Sequence, residues 1–292
     1  MIPVLLTRIK TRDGISLEGI AVFPQRKSKT AVIWLHGLSS RFSSGQALIA
    51  ELSASARKNN FGYFKFNTRG HDVASRAGNN FIGGGFERFE DCVHDIRAMI
   101  GCARKNGFTH IILAGHSTGA NKALYYVSAT NDRSVKGLLL LSAISDIIAL
   151  QKNMGIKKFA AAHALAGKLR KHPAALMPRA YGLFSAKRFW SLCNPGEQED
   201  TFPYYDEKRK WKALESIRIP IAVIIGSRDE YLDRTPANYL TAFKHHTHIA
   251  TANTRLTNNF RGIIIKGANH GFHRKEKELT KEIIRFLRDF KK

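Results

Sequence analysis

The chain has 292 residues, 43% of them hydrophobic, which suits one large α/β domain or two small ones, and no long polar tract argues for disorder. Forty-seven Lys and Arg against 23 Asp and Glu give a net charge of +24, yet no zinc finger, RNA-recognition signature or basic zipper accompanies them, so a dispersed basic surface is expected and no specific nucleic-acid partner. The 3 cysteines lack C-x-x-C spacing, which argues for reduced thiols rather than a disulfide framework or zinc site, and the apolar runs, such as Gly137 to Leu141, are far too short to span a membrane.

In chain order, Met1 to Leu6 is briefly apolar and then turns basic, without the long apolar stretch of a signal peptide, so a soluble cytoplasmic protein is expected. Val4–Lys10 and Ser16–Phe23 flank the turn signal Asp13-Gly14 and predict an antiparallel opening hairpin. Ala31–Leu35 and Phe61–Phe66 read as strands, with a helix through Leu48 and Leu52 between them. Phe86, Phe89, Val93, Ile96 and Ile100 recur at helical spacing and predict one long helix over about 86–104. His110–Ala114 and Val135–Leu141 are buried strands. From Ser145 to Ser216 the alternation of strand and helix breaks down amid prolines, aromatics and cations, as in an inserted cap. Pro220–Ile225 and Phe260–Ile265 resume the sheet, and Leu279, Ile283, Phe286, Leu287 and Phe290 mark a last amphipathic helix. The division is therefore a core of residues 1–144 and 217–292 with a cap at 145–216. A mostly parallel sheet covered on both faces is the fold class this order predicts.

Gly115-His116-Ser117-Thr118-Gly119 lies where a strand hands over to a helix. Small neighbours let the serine adopt a strained turn that lifts its hydroxyl clear of the sheet, and the helix N-terminus favours negative charge there. A serine nucleophile needs a base and a group to orient that base. Asp229 follows the strand ending at Ile225, with Glu230 and, more weakly, Asp233 as substitutes. His270 follows the strand ending near Lys266, with His273 as the fallback base. Developing negative charge requires donors: the backbone N–H of Thr118 after the nucleophile, and that of Leu38 in the loop His36-Gly37-Leu38-Ser39-Ser40. His36 itself is expected to brace that loop, Arg69 to pair with a carboxylate or carbonyl beside the site, and Gly83-Gly84-Gly85 to supply flexibility. The run His245-His246-Thr247-His248 lacks metal-ligand spacing, so no metal is expected.

Taken together, His36-Gly37, Arg69-Gly70-His71, Gly115 to Gly119, Gly226-x-x-Asp229 and Asn269-His270-Gly271 resemble the motifs of the α/β-hydrolase superfamily over nearly the whole chain. The resemblance implies an α/β-hydrolase fold with an inserted helical cap. It also implies a serine hydrolase of a small-molecule carboxylic ester, with catalytic Ser117, His270 and Asp229, oxyanion donors Leu38 and Thr118, and no cofactor. Thioesterases, amidases and peptidases use the same apparatus, and a catalytically silent scaffold binding an anionic ligand is the alternative of another class. The segment Phe184 to Phe202 followed by Gly226 to Tyr231 looks like the fungal siderophore-ester hydrolases, which open the ester bonds of fusarinine-type hydroxamates; from its charge alone, the basic cap is expected to suit an anionic or iron-chelate substrate.

Overall fold

In the computed structural model, which describes residues 3–247 and 260–290, the strands are β1 (Leu5–Lys10), β2 (Ser16–Val22), β3 (Thr30–Leu35), β4 (Gly62–Phe66), β5 (Ser75–Ala77), β6 (Asn80–Ile82), β7 (His110–His116), β8 (Val135–Leu141), β9 (Ile221–Gly226) and β10 (Phe260–Ile265). The helices are α1 (Gln46–Asn59), α2 (Cys92–Lys105), α3 (Thr118–Thr130), α4 (Asp146–Met154), α5 (Ile156–Leu169), α6 (Ala186–Cys193), α7 (Lys212–Glu215), α8 (Pro236–His246) and α9 (Glu276–Leu287). Eight strands form one sheet in the order β1-β2-β4-β3-β7-β8-β9-β10. β1 pairs antiparallel with β2, and β2 with β4; every other pairing is parallel.

The parallel strands read as unbroken apolar runs because both of their faces are covered. Ile33, Leu113, Leu138 and Val223 point into one apolar layer with α2, α3 and α8. Their neighbours Val32, Ile112, Leu139 and Ala222 point into the other, with α1 and α9. Parallel pairing leaves the carboxyl ends of β3, β4, β7, β8, β9 and β10 along one edge, where the candidate residues gather.

Between β8 and β9 stand α4, α5, α6 and α7. Ile147, Phe159, Ala162, Ala166, Met177, Ala186, Phe189 and Cys193 form an apolar cluster of their own there. The last third of the insertion behaves differently: Phe202, Tyr204, Trp211 and Leu214 pack into the core of the sheet with Tyr239 and Phe243. The fully buried members of the separate cluster thus end at Cys193, with Tyr205 packed against them.

Two local differences from the sequence-based expectation have clear causes. The helix expected from residue 86 begins at Cys92, after a 3₁₀ turn at Phe89–Asp91. Upstream, the N–H groups of Gly83, Gly84 and Gly85 donate to the carbonyls of Arg69, Asp72 and Val73, which takes that backbone out of a helix. The antiparallel pair β5–β6, not expected from the sequence, forms a small separate sheet.

Candidate active site

Ser117 sits between β7 and α3 with φ 57° and ψ −130°, a conformation that side chains other than glycine adopt only under strain. The flanking glycines are needed for room: a methyl on Gly115 would strike the Gly119 carbonyl, and one on Gly119 would strike the Leu35 carbonyl. The Ser117 N–H donates to the Leu141 carbonyl at 2.9 Å, which fixes the turn against β8.

The sheet edge brings His270 and Asp229 together. Nδ1 of His270 lies 3.0 and 2.9 Å from the two carboxylate oxygens of Asp229, whose side chain is fully buried. Burial pushes the Asp229 carboxyl up, but the hydrogen bond and charge of His270 and the Tyr231 N–H outweigh it and hold the group below its ordinary value. Glu230, the first alternative to Asp229, accepts the backbone N–H of His270 at 2.9 Å. Asp233 instead pairs with Arg234, and His273 lies against the Asn269 amide.

The His270 backbone is gripped at its carbonyl as well. Ser142 Oγ donates to it at 3.0 Å, and His116 Nε2 donates to it at 2.8 Å. Burial and the nearby His270 push the His116 imidazole down to about 4, so it is neutral and its Nε2 carries the proton. The residue preceding Ser117 is thereby bonded to the backbone of His270. The Tyr231 ring stands edge-on to the His270 imidazole, 4.6 Å between centroids.

The loop after β3 is held by His36. Its Nε2 accepts the Thr68 N–H at 2.9 Å, and its Nδ1 therefore carries the proton and donates to the Gly37 carbonyl at 2.9 Å. Burial, reinforced by Lys122, pushes this imidazole down to about 3, so it stays neutral. In a trans peptide the C=O and N–H point in opposite directions, so a Gly37 carbonyl turned to His36 turns the Leu38 N–H away from it. Gly37 itself abuts Ser117: a methyl there would sit 3.0 Å from Ser117 Cβ. The Thr118 N–H opens α3 in the next residue after Ser117.

Arg69 pairs with the fully buried Asp95, Nε at 3.1 Å and Nη2 at 2.9 Å, and with Asp13 and Asp91. Gly83-Gly84-Gly85 is tightly packed rather than loose. A methyl on Gly84 would strike Ser39 of the loop after β3, and one on Gly85 would strike the Leu183 carbonyl of the cap. Sequence reasoning missed a buried cluster next to these residues, Glu87, Lys122, Arg188 and Glu199. Its members come from four separate places in the chain, and each alone resembles a surface charge.

The family described as "Protein of unknown function (DUF1749)" matches residues 3–291. The chain belongs to that family. A search of curated proteins finds no match for this DUF1749 member. Among solved structures it is similar to the esterase Pf2001 from Pyrococcus furiosus, with 20% identity over 99% of this chain and 91% of that one, at a TM-score of 0.64. The siderophore hydrolase EstB from Aspergillus fumigatus aligns with 16% identity over 99% and 98% of the two chains, at a TM-score of 0.72. A soluble variant of monoglyceride lipase from Saccharomyces cerevisiae aligns with 13% identity over 100% and 98%, at 0.70. The DUF1749 chain has the α/β-hydrolase fold.

Among the described residues no group of three or more His, Cys, Asp or Glu is placed to hold a metal ion. His246 is engaged by Glu215 at 2.9 Å and stacks on Trp211, while His248 lies outside the described residues. No helix among the described residues is long and apolar enough to cross a membrane.

Proposed function

We propose that this DUF1749 member is a carboxylic ester hydrolase working through an acyl-enzyme on Ser117. The observation that carries the proposal is the commitment of His270 Nδ1 to both oxygens of Asp229, on a residue whose carbonyl is bonded to His116, the neighbour of Ser117. With Nδ1 engaged, Nε2 is the nitrogen left to act as base. It takes the Ser117 proton as Oγ attacks the ester carbonyl, and Asp229 stabilises the imidazolium that results. The N–H groups of Leu38 and Thr118 hold the oxyanion. Collapse breaks the ester C–O bond, and the imidazolium proton leaves with the alcohol. A water deprotonated by His270 then attacks the acyl carbon and frees Ser117. No cofactor takes part.

The basic cap favours anionic esters, and the EstB neighbour together with the resemblance over Phe184 to Phe202 makes hydroxamate siderophore esters the first class to assay. We place the activity in the cytoplasm. A fluorophosphonate probe should label the wild-type protein and leave Ser117→Ala unlabelled, and a p-nitrophenyl ester series assayed beside siderophore, acyl-CoA and peptide substrates should show turnover of esters first. A folded wild-type protein that takes no probe and cleaves no ester would refute the proposal.

A further inference from the structure

Arg188 is a cap residue on α6 with a fully buried side chain. Its guanidinium serves three partners: Nε donates to the Gly84 carbonyl at 3.0 Å, Nη2 to Glu87 at 3.2 Å, and Nη1 and Nη2 together grip Glu199. Glu87 in turn takes Lys122 at 2.9 and 2.7 Å. Lys122 Nζ reaches the Thr68 hydroxyl at 3.4 Å, and the Thr68 N–H donates to His36, which holds the Gly37 carbonyl. An unbroken line of buried polar contacts thus runs from the cap to the peptide that carries the Leu38 N–H. Lys122 stands one helical turn after Thr118 on α3, so the same ammonium is tied to the element that presents the second N–H. A second path is steric, since Arg188 holds the Gly84 carbonyl and Gly84 packs without room for a methyl against Ser39 of the same loop.

Packing alone explains one salt bridge between cap and core. It does not explain why the buried charges are chained through a neutral imidazole to a single peptide next to the nucleophile. Isolated buried pairs stabilise little after desolvation, whereas networks of this kind define one arrangement of the groups they join. Asp146 lies close by, its carboxyl pushed well up by burial and by Glu199.

We propose that Arg188 is a positioning residue for the oxyanion loop, through Glu87, Lys122, Thr68 and His36, so that seating of the cap and alignment of the Leu38 and Thr118 donors are one event. This rests on the ester-hydrolase proposal above. Arg188→Lys keeps the charge but cannot serve Gly84, Glu87 and Glu199 at once. Thr68→Val removes the hydroxyl beside Lys122 and His36 and leaves the cap untouched.

Each variant should be assayed with the p-nitrophenyl ester that the wild type turns over best, and with a trifluoromethyl ketone that mimics the tetrahedral intermediate. The expectation is a kcat lowered by about 10- to 100-fold with KM held within about 2-fold, a milder version of deleting an oxyanion donor. Affinity for the ketone should fall by the same factor as kcat, and the double variant should lose little more than the worse single. A raised KM with kcat retained, ketone affinity unchanged from wild type, or losses that multiply in the double variant would each overturn the coupling while leaving the hydrolase intact. Should Arg188→Lys fail to fold, wild-type kcat and ketone affinity in Thr68→Val would overturn it equally. A wild-type protein that cleaves no ester and takes no fluorophosphonate overturns the hydrolase proposal, and this one with it.

Discussion

His36 spends both ring nitrogens on backbone groups and is buried beside Lys122, Lys65 and His71, all of which disfavour a second proton. Its pKa falls from 6.5 unfolded to about 3 folded, so between those values the unfolded chain binds a proton that the folded chain does not. Stability contributed by neutral His36 is therefore complete above pH 6.5 and drains away as pH falls toward 3. The linkage gives about 2 kcal/mol lost from this site between pH 6.5 and 5. Urea unfolding of the wild type at pH 7.5 and 5.0 should show that drop, and His36→Asn, less stable at the higher pH, should show a smaller one; equal drops would contradict the assignment. Asp229→Asn should lower kcat by about a thousand- to ten-thousand-fold with a small change in KM, since the imidazole loses the carboxylate that sets its tautomer. Steady-state kinetics on protein shown to be folded check this. Ser117, Asp229 and His270 were legible because each follows its own strand within a few residues, so local sequence carries their placement. His116, Glu230 and Tyr231 adjoin those residues, but which backbone or ring group each meets depends on how β7, β9 and β10 line up.

At the scale of elements, the strands of the parallel sheet were readable from their apolar runs, and α9 from its stripe. The segment from Val73 to Glu87 was not. β5 and β6 have three residues each, too few for alternation to show. Phe86 and Phe89 keep helical spacing with residues of α2 although they precede it, because both loop and helix turn apolar side chains toward neighbouring structure. The glycine run was misleading in the opposite sense, since glycine serves close approach as well as freedom. Gly85→Ala should therefore destabilise the protein by about 1–3 kcal/mol, as overpacking does, and loosen the cap at Leu183 and Ser185, where the Ser185 N–H donates to the Gly85 carbonyl. Thermal denaturation and hydrogen exchange over 183–193 would test it, and faster exchange confined to other segments would count against it.

For the whole molecule, the charge of +24 was plain in the sequence, but its distribution between solvent and interior was not. Most cations face water, where they raise the local concentration of anions in a salt-dependent way. The kcat/KM of an anionic ester should fall as ionic strength rises from about 10 to 300 mM, while that of a neutral ester of equal size should hardly change; parallel salt curves for the two would rule out steering. The buried cations have a different consequence. Lys122 and Arg188 balance Glu87 and Glu199 across the boundary between cap and sheet, so replacing any one leaves an unpaired charge in the interior. Inheritance should reflect this. Across DUF1749 members the four positions should change together or not at all, and a relative that has lost the arginine should have lost an acid with it, which an alignment of the family can check residue by residue.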